Sequence, residues 1–177
     1  MFRFNSVKQT ALVSNRPTQT SAGTPNNVAN DGGRVRSKVG TVALATTDID
    51  GVADVLVLCA LPKGATVFSV LLASDDLDTN VAPTLAWNMG LYVAADGLTA
   101  KDADVYATAI TLGQAATAFT DYAFEARGIE LAGRKVWQDA GDTAEGSGEY
   151  FLALTVSAVS ATPAAGDLSF IVRYAID

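Results

Sequence analysis

The feature that most constrains this chain is the stretch Asp54 to Asp78, DVLVLCALPKGATVFSVLLASDDLD. In its first run Val55, Val57 and Cys59 interleave with Leu56, Leu58 and Ala60, so both faces of a strand drawn through it are apolar. Strands accept that pattern where neither face meets water. Pro62, Lys63 and Gly64 then supply turn chemistry, with Pro fixing one torsion and Gly permitting positive φ, before the apolar run resumes from Ala65 to Ala73. The reading is two buried strands folded back on one another at the centre of a core, closed by the solvated acids Asp75, Asp76 and Asp78.

Further strands follow from period-2 alternation. Val39 to Ala45 reads as a short strand. From Pro83 to Val93, Leu85, Trp87, Met89 and Leu91 alternate with Thr84, Ala86, Asn88, Gly90 and Tyr92, the signature of a half-buried strand. At the C-terminus Tyr150 to Ser157 and Leu168 to Asp177 alternate on either side of an AVSATPAAG loop and read as an antiparallel pair. Thr99 to Gly113 departs from this period. Val105, Ala109 and Leu112 fall at i, i+4 and i+7, Thr99 and Asp102 fit a capping box, and Gly113 sits where a helix end wants positive φ, which predicts one exposed helix. Phe119 to Glu130 fits a strand or an aromatic-anchored loop, and Leu131 to Trp137 a helical turn or a strand. The fold class is therefore all-β: an antiparallel β-sandwich, jelly-roll-like, with one short helix and an extended N-terminal arm.

The arm follows from charge and composition. Residues 1–38 are rich in Asn, Thr, Ser, Gly and Pro and carry six basic residues against Asp31 alone, whereas the whole chain has 12 basic and 19 acidic residues and a net charge of -7. A basic polar segment on an acidic body reads either as a solvated disordered tail or as an extended arm that orders on a neighbour. The expected division is an arm over 1–38 and a sandwich domain over 39–177. With 49% hydrophobic residues the body can bury a sizeable core. No continuous apolar leader opens the sequence and no run reaches the ~18 apolar residues of a membrane helix, so synthesis in a cytoplasm and no membrane partner are expected.

Histidine is absent, which removes the commonest general base, the Ser/His and Cys/His pairs and most zinc sites. The single cysteine, Cys59, lies in an apolar run and reads as inert packing. Carboxylate pairs drawn from Asp75, Asp76, Asp121 and Glu125 are arbitrary, since acids at strand ends are usually solvated turn residues. Asp76-x-Asp78-x-Asn80 begins like a calcium loop, but Val81 replaces the required Gly and Trp87 the closing Glu. The reading is a non-enzyme with no cofactor and no metal.

The segment LVLCALPKGATVFSVLLASDDLDTNVAPTLAWNMGLY, together with the closing EYFLALTVSAVSATPAAGDLSFIVRYAID, resembles tailed-bacteriophage capsid decoration (cement) and related head structural proteins. The resemblance covers about half the chain. It implies a virion protein on the capsid surface, a homotrimer bound to the major capsid protein and tying neighbouring capsomers together. Phe2, Arg3, Phe4, Lys8, Arg16, Arg34 and Arg36 are the candidate contacts of the arm. Two other readings stay open. One is a jelly-roll coat protein whose basic arm touches nucleic acid, which the acidic body disfavours. The other is a carbohydrate-binding sandwich stacking sugars on Trp87, Tyr92, Tyr106 or Trp137.

Overall fold

A computed structural model describes residues 34–94 and 99–176, and Val35–Ile176 forms one compact unit. Eight strands build it: β1 (Arg34–Leu44), β2 (Val55–Pro62), β3 (Thr66–Ser74), β4 (Ala86–Val93), β5 (Ala100–Ile110), β6 (Thr117–Asp121), β7 (Glu149–Ala158) and β8 (Gly166–Ile176). Single turns of 3-10 helix, η1 (Thr46–Asp48) and η2 (Ile129–Leu131), and one short α-helix, α1 (Val136–Asp139), sit in the connections.

The strands form two four-stranded sheets, ordered β1-β8-β3-β6 and β2-β7-β4-β5. The order has a simple origin. The first four strands and the last four run beside one another as a long ribbon, pairing β1 with β8, β2 with β7, β3 with β6 and β4 with β5. Rolling that ribbon around a barrel axis sends alternate pairs to opposite sheets, and the product is a jelly roll. The two inner faces interdigitate in one core that includes Val67, Val70, Leu72, Trp87, Met89, Leu91, Tyr106, Leu152, Leu154, Leu168 and Val172. The indole of buried Trp87 donates to the Leu112 carbonyl at 2.9 Å, so the largest core side chain keeps its polar atom satisfied.

The all-β sandwich and the alternation of β4, β7 and β8 match the sequence reading; four other points differ. First, Thr99 to Gly113 is no helix: β5 occupies it, and the short α-helix lies at Val136–Asp139 instead. The pairing of β4 with β5 explains the misleading period. Asp102 lies opposite Leu91 and Ala107 opposite Met89, so β5 spends far more chain than β4 over the same span. The surplus is taken up in bulges, and Ala109 adopts φ 51. Inward positions consequently recur at Tyr106, Ala107 and Ile110, a helix-like spacing.

Second, β2 and β3 do not fold back on each other. Lys63 to Ala65 carry the chain from one sheet to the other, and β7 and β8 likewise belong to opposite sheets. Third, β2 is an edge strand with Val57 exposed, not a strand covered on both faces. Its doubly apolar sequence serves one face in the core and one open rim. Fourth, β1 starts at Arg34, before the Val39 expected from the pattern.

Candidate interaction surfaces

Of the candidate contacts, Phe2, Arg3, Phe4, Lys8 and Arg16 lie outside the described residues. Arg34 and Arg36 are on β1, both exposed. Even-numbered positions of that strand turn inward, from Lys38 through Gly40 and Val42 to buried Leu44, while Val35, Ser37, Val39, Thr41 and Ala43 face out. The Lys38 ammonium reaches across to the Ala60 carbonyl on β2, joining the rims of the two sheets. Arg34 and Arg36 continue the inward row beyond the core and overhang in solvent.

At its other end the β1/β2 seam opens into a cleft of about 340 Å³ lined by Val42, Leu44, Thr47, Asp48, Asp54, Val55 and Leu56. Each carboxylate uses one oxygen locally: Asp48 accepts from the Ala45 amide at 2.8 Å and Asp54 from the Gly51 amide at 3.1 Å. One edge of the sandwich is thus basic at the start of β1, apolar along its middle and acidic past its end. Val35 and Val39 are 65% and 69% exposed on it.

A second surface is the end of the roll where the β3–β4, β5–β6 and β7–β8 loops meet. Asp78 organises it. Its buried carboxylate accepts from the amides of Thr84 (2.7 Å), Leu85 (3.1 Å), Ala161 (3.0 Å) and Thr162 (2.9 Å). Burial pushes its pKa up, but the four amides together outweigh burial and hold it well below the usual carboxylate range. The Leu77 amide also donates to Gly113, whose φ of 88 only Gly adopts freely. On this knitted base the tip residue Val81 is fully exposed. Asp78 therefore spends both oxygens on backbone, while Asp121 accepts from the Val70 and Ala123 amides with Oδ1 and Glu125 from the Thr108 amide with Oε2. Asn80 Oδ1 caps the Ala82 amide. The carboxylates weighed for catalysis or calcium are mostly loop fasteners.

The long β6–β7 connection is anchored by a charge cluster that no sequence pattern announces. Arg127 pairs with Asp139 of α1, and both side chains are almost wholly buried. Arg127 Nη2 donates to the Val67 carbonyl at 2.9 Å, and the guanidinium stacks on Tyr106 (4.8 Å) and Phe124 (4.7 Å). Tyr106 donates its hydroxyl to Asp139 Oδ2 at 3.1 Å. An arginine in a polar loop and an aspartate twelve residues on carry no pattern that announces this contact.

For carbohydrate stacking the geometry offers little. Trp87, Tyr92 and Tyr106 are buried in the sandwich, and Trp137 is half-buried. Cys59 is half-buried, and desolvation pushes its thiol up to about 11 against the opposing pull of Lys38. That suits the inert role read from sequence.

No protein-family model matches the chain. No curated protein matches it either. Two solved structures do. One is a chain of the "Cyanophage Pam1 capsid asymmetric unit", 29% identical, with a TM-score of 0.56, covering 92% of this chain and 100% of that one. The other is a chain of the "Capsid of Ralstonia phage GP4", 21% identical, with a TM-score of 0.62 over 87% and 89% of the two chains; at that identity it speaks for the fold. Along most of its length the chain is therefore similar to chains of phage capsids, in agreement with the resemblance to phage head proteins carried by its sequence.

Proposed function

We propose that this chain is a virion structural protein that decorates the outside of a phage head, acting as a cement between neighbouring capsomers. The observation that carries the reading is the match of a complete jelly roll, across 92% of the chain, to a chain of a cyanophage capsid. A structural, non-enzymatic role suits a molecule whose acids fasten its own loops. Residues 1–33 serve as the contact arm ahead of β1, with Phe2, Arg3, Phe4, Lys8 and Arg16 meeting the major capsid protein, and the protein works as a homotrimer on the capsid surface. Repetition over the shell then adds weak individual contacts into firm attachment.

The test is co-sedimentation of the purified protein with phage heads stripped of it, scored beside a version lacking residues 1–33. Full-length protein is expected to pellet with heads and raise their resistance to heat, and the shortened protein to bind much more weakly. Protein that stays in the supernatant at saturating heads would refute the reading. Undiminished binding by the shortened protein would refute the arm alone.

A further inference from the structure

We infer that the β1 edge is a two-fold docking surface for a second copy of this chain, which extends the β1-β8-β3-β6 sheet antiparallel across the contact. The inference is independent of the virion reading, and it gives Arg34 and Arg36 a different partner from the shell.

Among the described residues β1 is the outer strand of its sheet, and it is eleven residues long, or ~36 Å at the usual rise per residue. An edge of this length with exposed apolar side chains is a ready template for another strand. The charge order along the strand selects the occupant. Arg34 and Arg36 stand at its start, while Asp48 and Asp54 line the cleft beyond its end. Antiparallel pairing about a two-fold lays the basic end of each copy on the acidic end of the other, so the edge complements itself and satisfies both charge sets twice.

A two-fold passing beside Thr41 fits the side chains. Val39 then falls opposite Ala43 and Thr41 opposite its own copy, a favourable cross-strand pairing, while Arg34 and Arg36 extend past Leu44 of the other copy towards the 3-10 turn that carries its Asp48. The exposed side chain of Val39 gains Ala43 of the other copy as its flanking neighbour in the same step. A parallel arrangement would set arginines against arginines. Strand addition alone covers little area, so the contact is weak and dependent on concentration. Because it is isologous, each contact joins two copies, so single chains pair and rings join ring to ring.

Sedimentation equilibrium across a hundredfold range of concentration, at low and high salt, reads the contact. The expected result is a doubling of mass that weakens as salt screens the exposed charges. Val39→Lys and the pair R34E/R36E should each weaken the association at least tenfold without moving the melting temperature. Register is read by oxidative cross-linking: Thr41→Cys should give a covalent dimer of this chain, whereas Ser37→Cys, equally exposed, should not. Cys59 is half-buried on β2 with its thiol pushed up to about 11, which makes it a slow competitor. A constant mass at every concentration, cross-linking of Thr41→Cys no faster than Ser37→Cys, or association indifferent to R34E/R36E would each overturn the proposal.

Discussion

Thr162 donates its amide to Oδ1 of Asp78 at 2.9 Å, and through that bond the β7–β8 loop is fixed to the β3–β4 loop. Three more amides share the carboxylate, so one side chain sets the conformation of an entire end of the roll. Asp78→Ala strands these donors in a buried place. We expect a loss of about 3 kcal/mol, read as a lower midpoint in urea with an unchanged slope.

The same residue contributes to the acid limit. Its folded-state pKa lies well below the unfolded value of about 3.9. Its stabilising contribution is therefore complete above pH ~4 and is lost progressively as pH falls below that value. Urea midpoints measured from pH 7 to pH 2 should drop on the acid side for the wild type. Asp78→Asn should start lower and show a shallower fall; an equal fall in both would assign acid sensitivity elsewhere.

Arg127 and Asp139 form the other long-range fastener, nearly sealed from water. Asp139→Ala leaves a buried guanidinium unpaired, and a cost of about 3–5 kcal/mol follows. Replacing both residues with apolar ones should cost less than either single change. A double-mutant cycle by calorimetry checks this, and additive losses would contradict it.

Backbone geometry yields two substitutions of opposite sign. A Cβ on Gly90 would sit 2.1 Å from the Asp102 carbonyl oxygen and 2.3 Å from the Ala103 carbonyl carbon, both backbone atoms of β5. Gly90→Ala should cost about 3 kcal/mol by forcing β4 and β5 apart. Ala109 holds φ 51, where an L-residue is strained. Ala109→Gly should gain up to about 1 kcal/mol despite the looser unfolded chain. Paired thermal melts compare them directly.

Cys59 offers a probe of integrity. With its thiol pushed up to about 11 by burial, it should react with an aromatic disulfide at pH 8 at least a hundredfold more slowly in the native protein than in urea. Rapid native labelling would mean that the β1/β2 rim opens readily.

Much of the sandwich was legible because alternation survives wherever pairing is regular, as in Trp87 to Leu91 against Leu152 to Val156. It failed at β5, where bulges opposite Met89 and Leu91 turned a strand's period into a helix's. Sheet membership was hidden for another reason. A turn such as Pro62-Lys63-Gly64 reverses the chain whether the next strand joins its neighbour or crosses to the opposite sheet. The interaction surfaces were legible only as residues: Arg34 and Arg36 stood out as charges, but their alignment with Asp48 and Asp54 needs β1 and η1 in place. Asp78 looked like a solvated turn acid because two of its four donors lie beyond Ser160.

The rolled strand order also bears on when the molecule can form. β8 sits between β1 and β3, so a chain emerging from the ribosome holds the first of these strands with no neighbour until Gly166 to Ile176 has been made. Its contacts are predominantly distant in sequence, a topology that folds slowly. Until then the β1 rim, with Val35 and Val39, lacks the scaffold that aligns it. The two-fold pairing inferred for that rim therefore has its ordered template only in a finished chain.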